Sequence, residues 1–190
     1  MRKLGSILII IGVVFIGVFV YQYYDHWKAQ DESLTEAQES VDKGKNKVKL
    51  TPDDFKVNAN EAFAILEIPK LGKSLPVVEG TDPDSLKKGV GHLSESVLPG
   101  QGEQIVFSGH RDTVFREFGK IEIGDQYIVN TPYGSYTYEI RDTEIVSAND
   151  TTVIREMGEE VLVVTTCYPF RYIGDAPDRF ITYAYPVGDK

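Results

Sequence analysis

The sequence predicts a mainly β fold, a closed barrel or sandwich of about eight strands with a few short helices. Three observations carry this. Short runs rich in Val, Ile, Tyr, Phe and Thr recur from residue 63 to residue 185. Their spacing is short and fairly regular, which disfavours a parallel α/β sheet. Helical signals after residue 60 are few and brief.

The strand candidates, in chain order, are "FAILEI" (63–68), "LPVV" (75–78), "QIVFS" (104–108), "QYIVNT" (126–131), "SYTYEIRD" (135–142), "EIVSA" (144–148), "VLVVTT" (161–166) and "RFITYAY" (179–185). "TPYGS" (131–135) reads as the hairpin turn between two of them. "TDPDSLKKG" (81–89) reads as a short helix, with Asp82 as cap, Pro83 in the first helical position and Gly89 as stop. "TVFREFGK" (113–120) has room for one or two turns ending at Gly119. The 190 residues suit one folded domain with appendages.

The first appendage is an anchor. Leu4 to Tyr24 contains no charged residue, and a spanning helix needs about 20 apolar residues. Arg2 and Lys3 precede the run. By the positive-inside rule they keep the N-terminus in the cytoplasm and export the rest. Tyr21, Tyr23, Tyr24 and Trp27 form an aromatic belt at the exit. The apolar run is too long for a signal peptide and no A-x-A-like site follows it. The expected organisation is an anchor over 1–27, a polar stalk over 28–60 and a β-domain over 61–190. Within the stalk, "SLTE" (33–36) has capping-box spacing, so a short helix is expected to start there, and the Lys-rich "DKGKNKVK" (42–49) reads as flexible.

Composition excludes one class of partner. The formal charge is −9, and without residues 1–30 it is −11, a poor match for nucleic acid or an anionic lipid surface.

The chemistry centres on one thiol. Cys167 is the single cysteine and stands at the end of the run "VLVVTTC". On the exported side it can pair only between molecules, or stay free. A buried, small-hydrophobe role is the bland reading. A nucleophilic role needs a proton donor for the leaving group and hydrogen-bond donors for an oxyanion. His26 sits at the membrane exit. His92 lies in "GVGHL", and His110 lies in "IVFSGHRD", at the end of an apolar strand. Arg179 opens the strand "RFITYAY", and Arg111 and Arg171 lie nearby in sequence. A zinc site from His92, His110 and Cys167 lacks paired-ligand spacing. Neither G-x-S-x-G nor H-E-x-x-H occurs.

"SGHRD", a strand ending in "TTC" and an arginine opening the next strand, all behind an uncleaved anchor, together resemble the sortase family. Residues 163–167 read "VVTTC" against the family's T-L-x-T-C: Thr166 and Cys167 match, while Val163 and Val164 depart from it. "CYPF" followed by "RF" is most similar to class D. The resemblance implies an eight-stranded β-barrel with Cys167 as nucleophile, His110 as acid/base and Arg179 as oxyanion or substrate donor, with Thr166 as a substrate contact. It implies cleavage of an LPXTG-like sorting signal, LPNTA-like in class D, through a thioester. The cargo is then transferred to an amine of cell-wall precursor. No cofactor or metal is implied. The partners implied are signal-bearing surface proteins, the precursor amine and the membrane, the last through residues 4–24. Two other readings stay open: another wall-acting cysteine hydrolase or L,D-transpeptidase, and a tethered, non-enzymatic β-domain.

Overall fold

The computed structural model describes residues 2–45, 50–171, 174 and 176–188. Eight strands close into a barrel: β1 (Ala62–Ile68), β2 (Lys73–Glu79), β3 (Val90–His92), β4 (Gln104–Gly109), β5 (Gln126–Thr131), β6 (Gly134–Ser147), β7 (Val161–Tyr168) and β8 (Asp178–Pro186). Around the barrel the order is β1-β2-β3-β4-β7-β8-β6-β5, and pairing of β1 with β5 closes it. Aromatic side chains fill the interior, among them Phe63, Phe107, Phe115, Phe118, Tyr127 and Tyr138, all fully buried.

The count of eight matches the expectation, by a different route. The segments 135–142 and 144–148 are not two strands. They form one long β6 that runs antiparallel to β8 through an irregularity between Ile140 and Asp142. The eighth strand is β3, which has three residues and lies parallel to β2 and antiparallel to β4. A strand that short carries no periodicity to read. It exists because its neighbours accept its backbone hydrogen bonds.

The helix at 81–89 forms as its caps predict. Helix α2 spans Pro83–Lys88, and the Asp82 carboxylate accepts from the backbone N–H groups of Asp84 at 2.9 Å and Ser85 at 3.2 Å. The 113–120 segment is looser. Turns lead only to a 3-10 helix over Phe118–Lys120.

The largest departure is at the N-terminus. Helix α1 spans Arg2–Lys45 without a break. "SLTE" therefore lies inside a helix and does not start one. Asp42–Lys45, read as flexible, is its last turn, and residues 46–49 lie outside the described residues. The reason is tertiary. Ser33, Ala37, Val41 and Gly44 share one face at helical spacing and are buried against the barrel. Ala37 and Val41 pack on Ala62, Ile65 and Val78, with Leu34 beside them. The residues are small, so the helix comes close: a Cβ added at Gly44 would stand 2.0 Å from the Pro132 carbonyl oxygen. This contact also explains β1, which is apolar on both faces. Its inward residues fill the barrel while Ala62 and Ile65 meet the helix.

Val41→Asp tests the seam. It places a carboxylate at a position 1 % exposed, at a cost of about 3 kcal/mol. Amide hydrogen exchange over Gln38–Lys45 is expected to speed up about 100-fold, the equivalent of that cost, while the amides of β7 stay protected. Unchanged exchange in α1 would show that the seam contributes nothing.

Candidate active site

Three adjacent strands build the site. Strands β4 and β7 run parallel with Val106 beside Val163, Ser108 beside Thr165 and Gly109 beside Thr166. Strand β8 runs antiparallel to β7 with Tyr183 opposite Val163, Ile181 opposite Thr165 and Arg179 opposite Cys167. Side chains alternate along a strand. Ile105, Phe107, Leu162 and Val164 point into the barrel core. Val106, Val163, Ile181 and Tyr183 lie in a second cluster on the outer face. Each outer row steps by two: Val106, Ser108, His110; Val163, Thr165, Cys167; Tyr183, Ile181, Arg179. One residue past Gly109, the β4 row delivers His110 to the level of Cys167. The result is a transverse row, His110–Cys167–Arg179, at one rim of the barrel.

Two connected hollows open on this row. One, of about 210 Å³, is lined by His110, Cys167 and Arg179 together with Thr81, Leu86 and Thr165. The other, of about 430 Å³, shares the same three residues and adds Arg111, Ala148 and Ala176. Cys167 is a free thiol, half-buried and open to the cleft, so it is not a packed core cysteine. His110 is exposed and Arg179 half-buried. The Arg179 guanidinium donates to the Asp178 carbonyl at 3.0 Å and the Ala176 carbonyl at 3.4 Å, both through Nη1.

His92 has a different environment. It is 2 % exposed, with Nδ1 2.6 Å from the Glu79 carboxylate. Its Nε2 lies 3.1 Å from both the Val97 carbonyl and the Ser96 hydroxyl, and Phe63 and Phe107 flank the ring edge-on. Burial acts to raise the Glu79 pKa, but the hydrogen bonds to His92 and Ser94 outweigh it and hold the carboxyl below its ordinary range. This pair ties β2 to β3 inside the structure. His26 lies on α1, 3.0 Å from the Gln30 amide nitrogen.

Thr166 is among the residues lining the cleft, and it also makes a structural hydrogen bond. It is 2 % exposed, and its hydroxyl donates to the Gly109 carbonyl at 2.7 Å. It therefore clamps the end of β4, which carries His110, to the strand that carries Cys167. Arg111 has a related place that composition did not reveal. It is 7 % exposed and donates to the Pro169 carbonyl at 3.0 Å and the Gly174 carbonyl at 2.8 Å. The residue after His110 thus holds the loop after Cys167. Its position inside "SGHRD" was the one available signal. Arg171 is exposed on that loop.

Gly109 is required where it stands. A Cβ there would meet the Phe115 ring at 2.4 Å and the Val114 side chain at 2.7 Å. Phe115 is fully buried and cannot swing away. Gly109→Ala is expected to displace the end of β4 and lower kcat at least about 10-fold, since a displacement near 1 Å can cost about 100-fold. The barrel should stay folded by circular dichroism. Full activity would show that His110 tolerates the shift.

Arg179→Lys is expected to fold normally and lose about 10²–10³ in kcat, the usual cost of one oxyanion-type donor. Lysine keeps the charge but loses the planar fork. Arg171→Lys, on the exposed loop, should keep most of its turnover. Comparing kcat for transfer of a peptide to an amine separates the two, and near wild-type turnover for Arg179→Lys would refute the forked donor.

A β-barrel with a thiol, an imidazole and a guanidinium in one row at its rim holds the groups that a cysteine transpeptidase needs. The comparisons agree. A family model described as sortase domain matches residues 66–187. Sortase D of Bacillus subtilis (strain 168) is 43 % identical over 202 residues, covering 98 % of this chain and 100 % of that protein. The catalytic domain of B. anthracis SrtD is 42 % identical, with a TM-score of 0.60 over 75 % of this chain and 95 % of its own. A Clostridium perfringens Sortase D5 transpeptidase has the same fold, with a TM-score of 0.72 at 24 % identity, over 85 % of this chain and 99 % of that one. This chain belongs to the sortase family and is similar to its class D members. It is a membrane-anchored enzyme of surface-protein attachment.

Proposed function

We propose that this enzyme cleaves an LPXTG-like sorting signal, in an LPNTA-like form, and transfers the cargo to an amine of cell-wall peptidoglycan precursor. The row His110–Cys167–Arg179 carries the reading. The Cys167 thiolate adds to the carbonyl carbon of the signal's threonine, and Arg179 donates to the oxyanion that forms. The intermediate collapses with loss of the C–N bond. His110 gives its proton to the departing amine, and a thioester remains on Sγ. The acceptor amine then attacks the thioester carbon and its proton passes to His110, while the thiolate leaves. No water is consumed, so the bond energy is retained in the new amide.

The outer face beside the cleft supports the choice of signal. A third hollow, of about 230 Å³, is lined by Leu93, Val106, Val153 and Ile181, and shares Thr81, Ser108 and Thr165 with the cleft. It is apolar and continues the line away from Cys167, where the leucine and proline of such a signal would lie. With Arg2 and Lys3 on the cytoplasmic side, α1 crosses the membrane once and the barrel is extracellular.

The test is incubation of the full chain in detergent with a small library of LPXTX peptides. Mass spectrometry should find a thioester adduct on Cys167, which an added glycine amine discharges as a new amide. Cleavage without a Cys167 adduct would remove the reading.

A further inference from the structure

The apolar run of α1 ends at Tyr24, yet the barrel does not stand clear of it. A groove of about 490 Å³ has Phe19, Tyr23 and Trp27 of α1 on one side and Lys73, Thr113 and Arg116 of the barrel on the other. Phe19 and Tyr23 belong to the apolar run itself. One residue beyond that run, Asp25 accepts from Lys87 of α2 at 2.5 Å. At the far end of the helix, Gly44 lies against Pro132 in the turn between β5 and β6. Between these two points the seam of Ala37 and Val41 is continuous with the barrel. Residues 25 and 44 of one helix are about 28 Å apart at 1.5 Å per residue. A rod held at both ends and along its length cannot swing.

We propose that the barrel lies on the bilayer, with Lys73 and the segment after His110 (residues 112–117) seated in the lipid headgroup layer, and that α1 is a rigid strut fixing the cleft at that height. The inference rests on the membrane-anchored reading of residues 4–24. The headgroup layer adds roughly 5–7 Å on each side of the hydrocarbon core. Trp27 stands three residues past the apolar run, about 4.5 Å higher, and Arg116 faces the same groove. Exposed aromatic rings on α1 suit this depth. Lys73 donates through Nζ to the Val114 carbonyl at 3.1 Å and Arg116 through Nε to the Asp112 carbonyl at 3.2 Å, and Asp112 and Glu117 line the same groove; the remaining donors of the two cations, on stems that can lie along apolar surface, can reach headgroup phosphates. Such seating is local: it needs no net positive charge on the domain. The β5–β6 turn, beside the other end of the strut, would stand about 30 Å from the lipid.

The experiment uses the full chain carrying Cys167→Ala, so that one introduced cysteine takes the label. A fluorophore is placed at Arg116→Cys or at Ser135→Cys, and each protein is reconstituted into vesicles of brominated phosphatidylcholine. Trp27 is the single tryptophan, so its own quenching reports whether the helix is inserted. The expected result is quenching at Trp27 and at position 116, with position 116 quenched at least about threefold more than position 135. If Trp27 is quenched and the two labels respond equally, the barrel does not lie on the membrane, and the anchor reading survives. If Trp27 is not quenched, the anchor reading falls and takes this inference with it. Adding Ala37→Asp and Val41→Asp together should lower quenching at position 116 and spare Trp27; unchanged quenching there would overturn the strut.

Discussion

Cys167→Ala is expected to abolish thioester formation and to lower transfer at least about 10⁴-fold, in line with removal of a nucleophile from a unit of interdependent groups. The chain has no second thiol to substitute. Methyl cannot form the covalent intermediate, and direct attack by an amine on the amide keeps only the small residual help of Arg179, His110 and substrate binding. Stability should change little. Cys167 is half-buried at a cleft, so removing Sγ opens no sealed cavity. The melting temperature should stay within a few degrees of the parent, and intact mass after incubation with peptide should show no adduct. Residual transfer above the uncatalysed rate, with an adduct elsewhere, would move the nucleophile away from Cys167.

His110→Ala is expected to cost about 10²–10⁴ in kcat, the range for loss of a positioned acid–base. His110 is exposed at the cleft and has no packing role to lose, so the fold should persist. His92→Ala should give the opposite pattern. It leaves the Glu79 carboxylate buried without its partner, at a cost of about 3 kcal/mol. The melting temperature should fall while kcat per folded molecule stays near that of the parent. A double measurement, melting temperature and kcat on both variants, separates a chemical histidine from a structural one. A larger kcat loss at position 92 than at position 110 would reverse the assignment.

Much of this was legible along the chain, and the limits have physical causes. Helix α2 was readable because its signals are local: a carboxylate cap, a proline at the first position and a glycine stop. The β5–β6 hairpin was readable for the same reason. The strand β3 was not, because three residues have no periodicity. That α1 runs unbroken through the polar stretch to Lys45 was not readable, because its buried face there is Ser33, Ala37, Val41 and Gly44. Small and polar residues do not register as an apolar stripe. They are buried here because close approach of two backbones needs small side chains.

At the site, the residue types were evident before their arrangement was. One cysteine at a strand end, a histidine after a strand and an arginine before one are features of the linear chain, and alternation alone places Cys167 on the face of Val163 and Thr165. That linear information determined the chemistry available and the family it belongs to. It favoured His110 over His92, because only His110 ends a strong strand within "SGHRD", but it could not show how His110 comes to lie beside the thiol. Tertiary structure decided that, through the parallel register of β4 with β7, which brings His110 to Cys167 and leaves His92 sealed beside Glu79. It also set Arg111 to bridge two loops and Thr166 to clamp two strands. These outcomes depend on backbone hydrogen bonds between segments distant in sequence, and such a register exists only once the barrel has closed.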